Sequence, residues 1–296
     1  MAQFPPGRAF RFSPAYKGIV PLKIATWNVN GIRARALEVE RWIEREQPDV
    51  LCLQEIKASP EHVPAPLCDM AGYWCFWHGH KGYSGVSLHL RKATFTGRPA
   101  FTHPAFDNET RIVEARLGDL TIASVYVPNG GKDFDAKLRF LEGLEKYAAQ
   151  EKRLVICGDL NVAREERDVH PKLRKQDQIG TTPVERQWFA RMLGHGLVDL
   201  GRKFAPDDDR LFTWWAPWRN QKERNIGWRI DYVLASEALA AKALSCAGFR
   251  EFGTSDHGPL QAVIEVPAPL YEAAPEPAPR PVEPEKLPEP GQIPLL

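Results

Sequence analysis

Where a buried strand gives way to polar residues, side chains are held rigidly yet reach solvent, and four such places in this chain carry groups able to bind metal and move protons. They are Trp27-Asn28-Val29-Asn30-Gly31, Leu53-Gln54-Glu55, Cys157-Gly158-Asp159-Leu160-Asn161 and Ser255-Asp256-His257. A fifth run, Arg229-Ile230-Asp231-Tyr232, places an Asp where an ordinary buried strand carries an apolar residue. Glu55 is the natural first ligand for Mg2+, a hard cation that takes oxygen donors and keeps several waters, so that one or two carboxylates plus substrate oxygens suffice. Taken alone, a strand-end Glu is more often a solvated charge. Asp231 and the later His257 suggest a carboxylate that fixes an imidazole's tautomer and raises its basicity. The other seven histidines show no comparable setting. Asp159 and Asn161, two residues apart, project to one side of an extended segment, one to take a proton from water and one to hold that water. Each motif alone is weak, and their ordered occurrence is what carries weight.

These groups need elements to position them. Short β-type runs occur at Leu22 to Trp27, Val50 to Gln54, Gly85 to Leu90, Ile112 to Leu117, Leu120 to Tyr126, Leu154 to Cys157, Trp228 to Leu234 and Leu260 to Val266. Helical periodicity marks Ala36 to Glu46, Phe134 to Ala149, Pro183 to Leu193 and Glu237 to Ala243, the third opened by Thr182-Pro183 with Glu185 in its first turn. Some strands are direct neighbours and others are separated by helices, which predicts an α/β protein with mixed sheets and helices outside. No linker divides residues 21–266, so one domain is expected there, between an N-terminal extension (1–20) and a tail (267–296). The tail has ten prolines among Glu and Ala and no apolar period, which predicts an extended, disordered segment. Asn28-Val29-Asn30 and Asp159-Leu160-Asn161 each follow a strand in a similar way.

The same residues sit in longer blocks: Trp27 to Arg33, Leu53 to Lys57, Gly82-Tyr83-Ser84-Gly85-Val86, Tyr126-Val127-Pro128-Asn129-Gly130, Gly158 to Asn161, Thr213-Trp214-Trp215, Asn225 to Tyr232 and Ser255-Asp256-His257-Gly258-Pro259. In their order across residues 22–266 they resemble the signature blocks of the exonuclease III family of apurinic/apyrimidinic endonucleases. The resemblance implies a four-layered α/β sandwich, two mixed β-sheets packed face to face with helices outside, and a site at one end of the sheets. It implies Mg2+, with Mn2+ as a substitute, on Glu55 with Asn30 and Asp256 near it. His257 paired with Asp231 would contact the scissile phosphate. Asp159 would align or deprotonate the attacking water, with Asn28, Tyr126 and Asn161 in support, and Asn129 would touch the DNA backbone. Whether Asp159 or His257 removes the proton stays open at this level. Thr110 stands where family members often have Gly, and Gln176 to Thr181 follows the family loop only loosely.

The implied reaction is hydrolysis of the phosphodiester 5′ to an abasic site, leaving a 3′ hydroxyl and a 5′ deoxyribose phosphate, with 3′-5′ exonuclease and 3′-phosphatase action as accessories. The same constellation serves other phosphodiesterases of the superfamily, and a silent DNA-binding scaffold is the alternative from another class. Substrate is argued from Trp214, Trp215, Trp218 and Trp228 beside Arg219, Lys222, Arg224 and Arg229, since a flipped sugar without its base needs an apolar pocket flanked by cations. Trp215 reads as core. Trp214, Trp228 and Ile230 match the family positions that line the abasic pocket.

Net charge is only +1, but the first twenty residues carry +3 and the tail −3, so polyanion binding must rest on local clusters such as Lys172-Leu173-Arg174-Lys175 and Arg219 to Arg229. The five cysteines (Cys52, Cys68, Cys75, Cys157, Cys246) lack zinc or disulfide spacing and read as reduced core thiols. There is no apolar leader and no eighteen-residue apolar run, so a cytoplasmic protein with no membrane association is expected. The expected partner is double-stranded DNA containing abasic sites, bound by a monomer. No partner for the tail is evident.

Overall fold

The computed structural model describes residues 18–268 except 69, 71 and 96; the N-terminal extension before residue 18 and the proline-rich tail from 269 lie outside the described residues. The chain begins β1 (Ile19–Asn28), α1 (Ile32–Glu46), β2 (Val50–Gln54), α2 (Ala65–Cys68), β3 (Tyr73–His80), β4 (Tyr83–Arg91), β5 (Ala100–Thr102), β6 (Ile112–Leu117) and β7 (Leu120–Tyr126). It continues α3 (Phe134–Gln150), β8 (Leu154–Asp159), α4 (Pro183–Gly194), β9 (Leu197–Asp199), α5 (Leu200–Phe204), β10 (Asp231–Ser236), α6 (Glu237–Ala240), β11 (Ala243–Gly248) and β12 (Leu260–Pro267). Two six-stranded sheets result, in the orders β11-β12-β1-β2-β4-β3 and β5-β6-β7-β8-β10-β9. Each contains one parallel pair, β1 with β2 and β7 with β8, whose crossovers are α1 and α3.

The central strands are apolar on both faces because each face meets a different layer. Ile24, Cys52, Val86, Leu88, Val113, Ile122, Val155 and Val233 meet between the sheets. Their alternates Ala25, Leu51 and Leu53 join Val39 and Trp42 of α1, while Ile112, Ile156 and Leu234 join Leu141 and Leu144 of α3 and Phe189 of α4. The layers are therefore helix, sheet, sheet, helix. None of the described helices is long and apolar enough to cross a membrane.

Several expected elements differ. The strand expected from Trp228 starts at Asp231, because Trp228 forms a separate two-residue bridge with Trp214 (N to O 2.9 Å in both directions). The helix expected over 237–243 ends at Ala240, and Ala243 opens β11, which pairs with β12 at the sheet edge. The helix expected from Ala36 begins at Ile32. Strands β3, β5 and β9, absent from the sequence reading, extend the sheets outward from the buried strands. β1 starts at Ile19, ahead of the boundary expected at 21. Of the cysteines, Cys52 and Cys157 are buried, but Cys68 is exposed, at the end of a one-turn helix, and Cys75 and Cys246 are half-buried.

Candidate active site

Ladder register fixes the first contacts. In the first sheet Asn28 stands opposite Gln54; in the second, Tyr126 stands opposite Asp159, and Asp159 opposite Asp231. Gln54, fully buried, ties the sheets together by donating to Thr26 Oγ1 (3.0 Å) and to Ser124 Oγ (3.1 Å). Gly158 permits the approach of β8 to β7: its φ is +145°, and a Cβ there would lie 1.9 Å from the Val125 carbonyl oxygen. The similarity between Asn28-Val29-Asn30 and Asp159-Leu160-Asn161 is physical. In each, the first side chain accepts from the backbone N–H two residues on (3.0 and 2.9 Å), and the third residue takes a positive φ, 45° at Asn30 and 50° at Asn161.

His257, just ahead of β12, is held by its own carbonyl, which accepts from Trp27 Nε1 (3.1 Å), and by a bridge to Trp214. Its Nδ1 lies 2.9 Å from Asp231 Oδ2, and its Nε2 lies 3.8 Å from Asp159 Oδ2. Asp159 Oδ2 also accepts from Asn28 Nδ2 (2.9 Å) and Asn161 Nδ2 (3.2 Å). Asn28 Nδ2 donates further to Glu55 Oε1 (2.9 Å), joining the two sheets' carboxylates. Lys57 Nζ lies 2.8 Å from Glu55 Oε2 and 2.5 Å from Asn30 Oδ1, and Asn30 Nδ2 donates to Asp256 Oδ1 (2.8 Å). Asp256 thus reaches Glu55 through Asn30 and Lys57, whereas Glu55, Asp159 and His257 offer ligand atoms all within 4.8 Å of one another.

Electrostatics follow from this crowding. Burial pushes the Asp159 carboxyl up to about 8, with His257 opposing and Asp231 and Glu55 adding to the rise. For His257 burial disfavours the charge, but Asp231 and then Asp159 outweigh it and hold the imidazole's pKa up to about 10. Burial likewise works against the Glu55 charge, yet hydrogen bonds from Asn28 and Lys57 carry its pKa below the ordinary value. Burial beside Glu55 and Asp159 keeps the Tyr126 phenol well above its usual range. The result is an imidazolium between two carboxyl groups, one of which, Asp159, has an unusually high proton affinity, with the Lys57 ammonium on Glu55 beside them.

Above these groups lies a cleft of about 850 Å³, lined by Tyr126, Asn129, Asn161, Trp214, Trp228 and Ile230 among others. Trp214 and Trp228 meet edge to face, centroids 6.4 Å apart, and Trp214 Nε1 donates to Asp256 Oδ2 (2.9 Å). Lys172, Lys175, exposed Trp218 and Arg219 line the rim. Three cations expected beside them are not in the cleft lining: Arg224 Nη1 donates to the Arg219 carbonyl (3.4 Å), and the other two do other work. Arg229 is buried, paired with Asp168 (Nε to Oδ1 2.8 Å) and Asp199 (Nη1 to Oδ2 2.8 Å); Lys222 donates to the carbonyls of Gly253 (3.1 Å) and Ser255 (2.9 Å). Trp215 is buried as expected.

Sequence reasoning missed Lys57, although it ends a quoted block, and Lys137. The latter is fully buried on α3, pairing with Glu185 (2.5 Å) and donating to the carbonyls of Asn161 (2.8 Å) and Asn129 (3.3 Å). Its signal was a lysine at a position of the apolar stripe that Phe140, Leu141 and Leu144 continue.

Residues 25–257 match the model of the endonuclease/exonuclease/phosphatase family. The chain belongs to that family. It is similar to the exodeoxyribonuclease of Bacillus subtilis, 31% identical with 83% of this chain and 100% of that protein covered. It is also 32% identical to the DNA repair nuclease APEX1 of Danio rerio, with 83% of each chain covered. An AP endonuclease structure from Archaeoglobus fulgidus superposes with a TM-score of 0.74 at 31% identity, covering 83% of this chain and 100% of that one. The two mixed sheets and outer helices are the family's α/β sandwich.

Proposed function

We propose that this family member is a DNA-repair endonuclease that hydrolyses the phosphodiester 5′ to abasic sites with the help of Mg2+. The observation that carries the reading is the Glu55–Asn28–Asp159–His257–Asp231 network lying beneath a cleft walled by Trp214, Trp228 and Ile230. The donor set fits a hard cation: Glu55 and Asn30 present oxygens that already hold the Lys57 ammonium, and Asp256 adds a carboxylate beside Asn30. Bound there, Mg2+ would neutralise charge growing on the phosphoryl and departing 3′ oxygens.

The remaining work belongs to the protein's own groups. Asp159, with its raised proton affinity, takes a proton from the attacking water, while Asn28 and Asn161 keep its carboxylate aimed. His257, held protonated by Asp231, places positive charge toward a phosphoryl oxygen. That division of charge favours Asp159 over His257 as the base. Tyr126 keeps its proton and donates from the cleft wall, and Asn129, exposed at the rim, meets the DNA backbone. Trp214, Trp228 and Ile230 enclose a sugar lacking its base, a shape that an intact nucleotide would overfill. Lys172, Lys175 and Arg219 at the rim supply backbone contacts. Accessory 3′-5′ exonuclease and 3′-phosphatase action would draw on the same groups, and Mn2+ could replace Mg2+. We take the acting species to be a cytoplasmic monomer bound to duplex DNA.

The test offers duplexes with and without one abasic analogue and maps the ends produced under a Mg2+ titration. Metal-dependent incision 5′ to the analogue, with a 3′ hydroxyl, is expected. Tight binding without cleavage would favour the silent scaffold, and equal cutting of both duplexes a general deoxyribonuclease.

A further inference from the structure

No other histidine has a sequence setting like that of His257, but the fold supplies one for two of them. His78 Nε2, on β3, lies 2.7 Å from Oδ2 of Asp107, whose side chain is fully buried. The exposed His103 ring stacks on His78, centroids 4.6 Å apart and 21° from parallel. The three residues present ligand atoms all within 4.8 Å of one another. We propose that His78, His103 and Asp107 form a second metal site, selective for Zn2+ and similar borderline cations and built from residues the catalytic cluster does not use.

Chemistry separates the two sites. Glu55, Asn30 and Asp256 offer oxygen, which suits Mg2+; two imidazoles and one carboxylate suit zinc, which binds nitrogen at about 2.0–2.1 Å and takes three protein ligands with an open fourth position. Asp107 is oriented for the role, because its Oδ1 accepts from the backbone N–H groups of Arg111 (2.9 Å) and Glu109 (3.3 Å). The short His78–Asp107 contact holds a proton where the metal would go. Tetrahedral zinc spreads its ligands to roughly 3.3 Å apart, so uptake displaces that proton and swings the exposed His103 inward. Exposure of His103 also gives the ion a way in and leaves the fourth position to water.

Occupancy has a structural consequence. The segment from His103 to Arg111 carries a guanidinium that donates to Tyr83 Oη (2.9 Å) and lies 4.9 Å from the centroid of the Tyr126 ring, a wall of the cleft. A metal clamping that segment to β3 steadies Arg111 against Tyr126.

The experiment is calorimetric titration of the full chain with Zn2+ in excess Mg2+, which keeps the oxygen site occupied, with melting temperature followed in parallel. Wild type should bind one Zn2+ and melt higher for it. His103→Ala, at an exposed position, should fold normally, bind zinc at least about tenfold more weakly and lose the thermal shift, while Glu55→Gln should retain both. Absence of zinc binding in excess Mg2+ would overturn the proposal. So would equal binding by wild type and His103→Ala, or binding that disappears with Glu55→Gln.

Discussion

The residues of the proposed site divide a set of charges that could not share one place without the polar links between them. Glu55 stays ionised because Asn28 and Lys57 donate to it, and replacing it by Gln keeps its shape while removing the charge. Glu55→Gln should therefore lower activity about tenfold or more at limiting Mg2+ with an unchanged fold; full activity there would remove Glu55 from the site. Asp159→Asn should reduce kcat by about 10²–10⁴ with little effect on DNA binding. The pH profile follows from the same pair. Asp159 must be unprotonated to act as base and His257 protonated to act as cation, so kcat/KM should rise with pH through about 8 and fall through about 10. Asp231→Asn removes the carboxylate that most raises His257, and should bring the falling limb to lower pH; a limb that stays in place would unseat this pairing. Glu55, Asp159, Asp231 and His257 were legible because each is a polar residue at, or just beyond, the end of an apolar strand. Arg229 was misread, because a basic residue among tryptophans looks the same in sequence whether it turns outward to DNA or inward to Asp168.

Among the elements, periodicity located the interior strands and the helices with a long apolar stripe: β6 and β7 have the expected bounds, and α3 and α4 differ by a residue at their ends. Edge elements were not. β11 carries small residues of mixed burial that fit helix and strand alike, and only its pairing with β12 decides. The segment leading into β10 carries a buried ion network that no local pattern announces: Asp168 accepts from Arg229 and from Arg202 Nη2 (2.5 Å), and Asp199 accepts from Arg229. Asp168→Asn leaves two buried guanidinium groups undercompensated and should cost about 3–5 kcal/mol in a urea titration. Burial acts to raise the Asp168 carboxyl, but Arg229 and then Arg202 prevail and hold it below its ordinary 3.8. Its stabilisation is thus complete above that pH and lost as pH falls through the lower folded value, so the variant should show a flatter acid limb. The proposed substrate choice rests on the Trp214–Trp228 ribbon. Trp228→Ala should diminish the preference for abasic over intact duplex before it slows phosphate chemistry, and because a core tryptophan can cost roughly 3–5 kcal/mol, its melting temperature must be compared. A stable variant with undiminished discrimination would defeat the pocket assignment.

At the scale of the molecule, alternation of strands and helices indicated mixed sheets, but strand order and face-to-face stacking came only with the family resemblance. Tertiary pairing explains the difference: what brings residue 28 beside 159, or 78 beside 107, is the closing of two sheets upon each other, to which no short window of sequence is sensitive. That closing places one carboxylate of each sheet on a shared Asn28 amide and leaves the tryptophan-walled cleft above them. The proposed reaction delivers water, at this junction, to a phosphorus atom next to a missing base. It is tested most directly by cutting, in water enriched in heavy oxygen and under single-turnover conditions with Mg2+, a duplex bearing one tetrahydrofuran abasic analogue. The heavy oxygen should appear in the 5′ phosphate of the downstream fragment, with an unlabelled 3′ hydroxyl on the upstream one. Label in the 3′ hydroxyl, an unlabelled 5′ phosphate or an uncut strand would rule that reaction out.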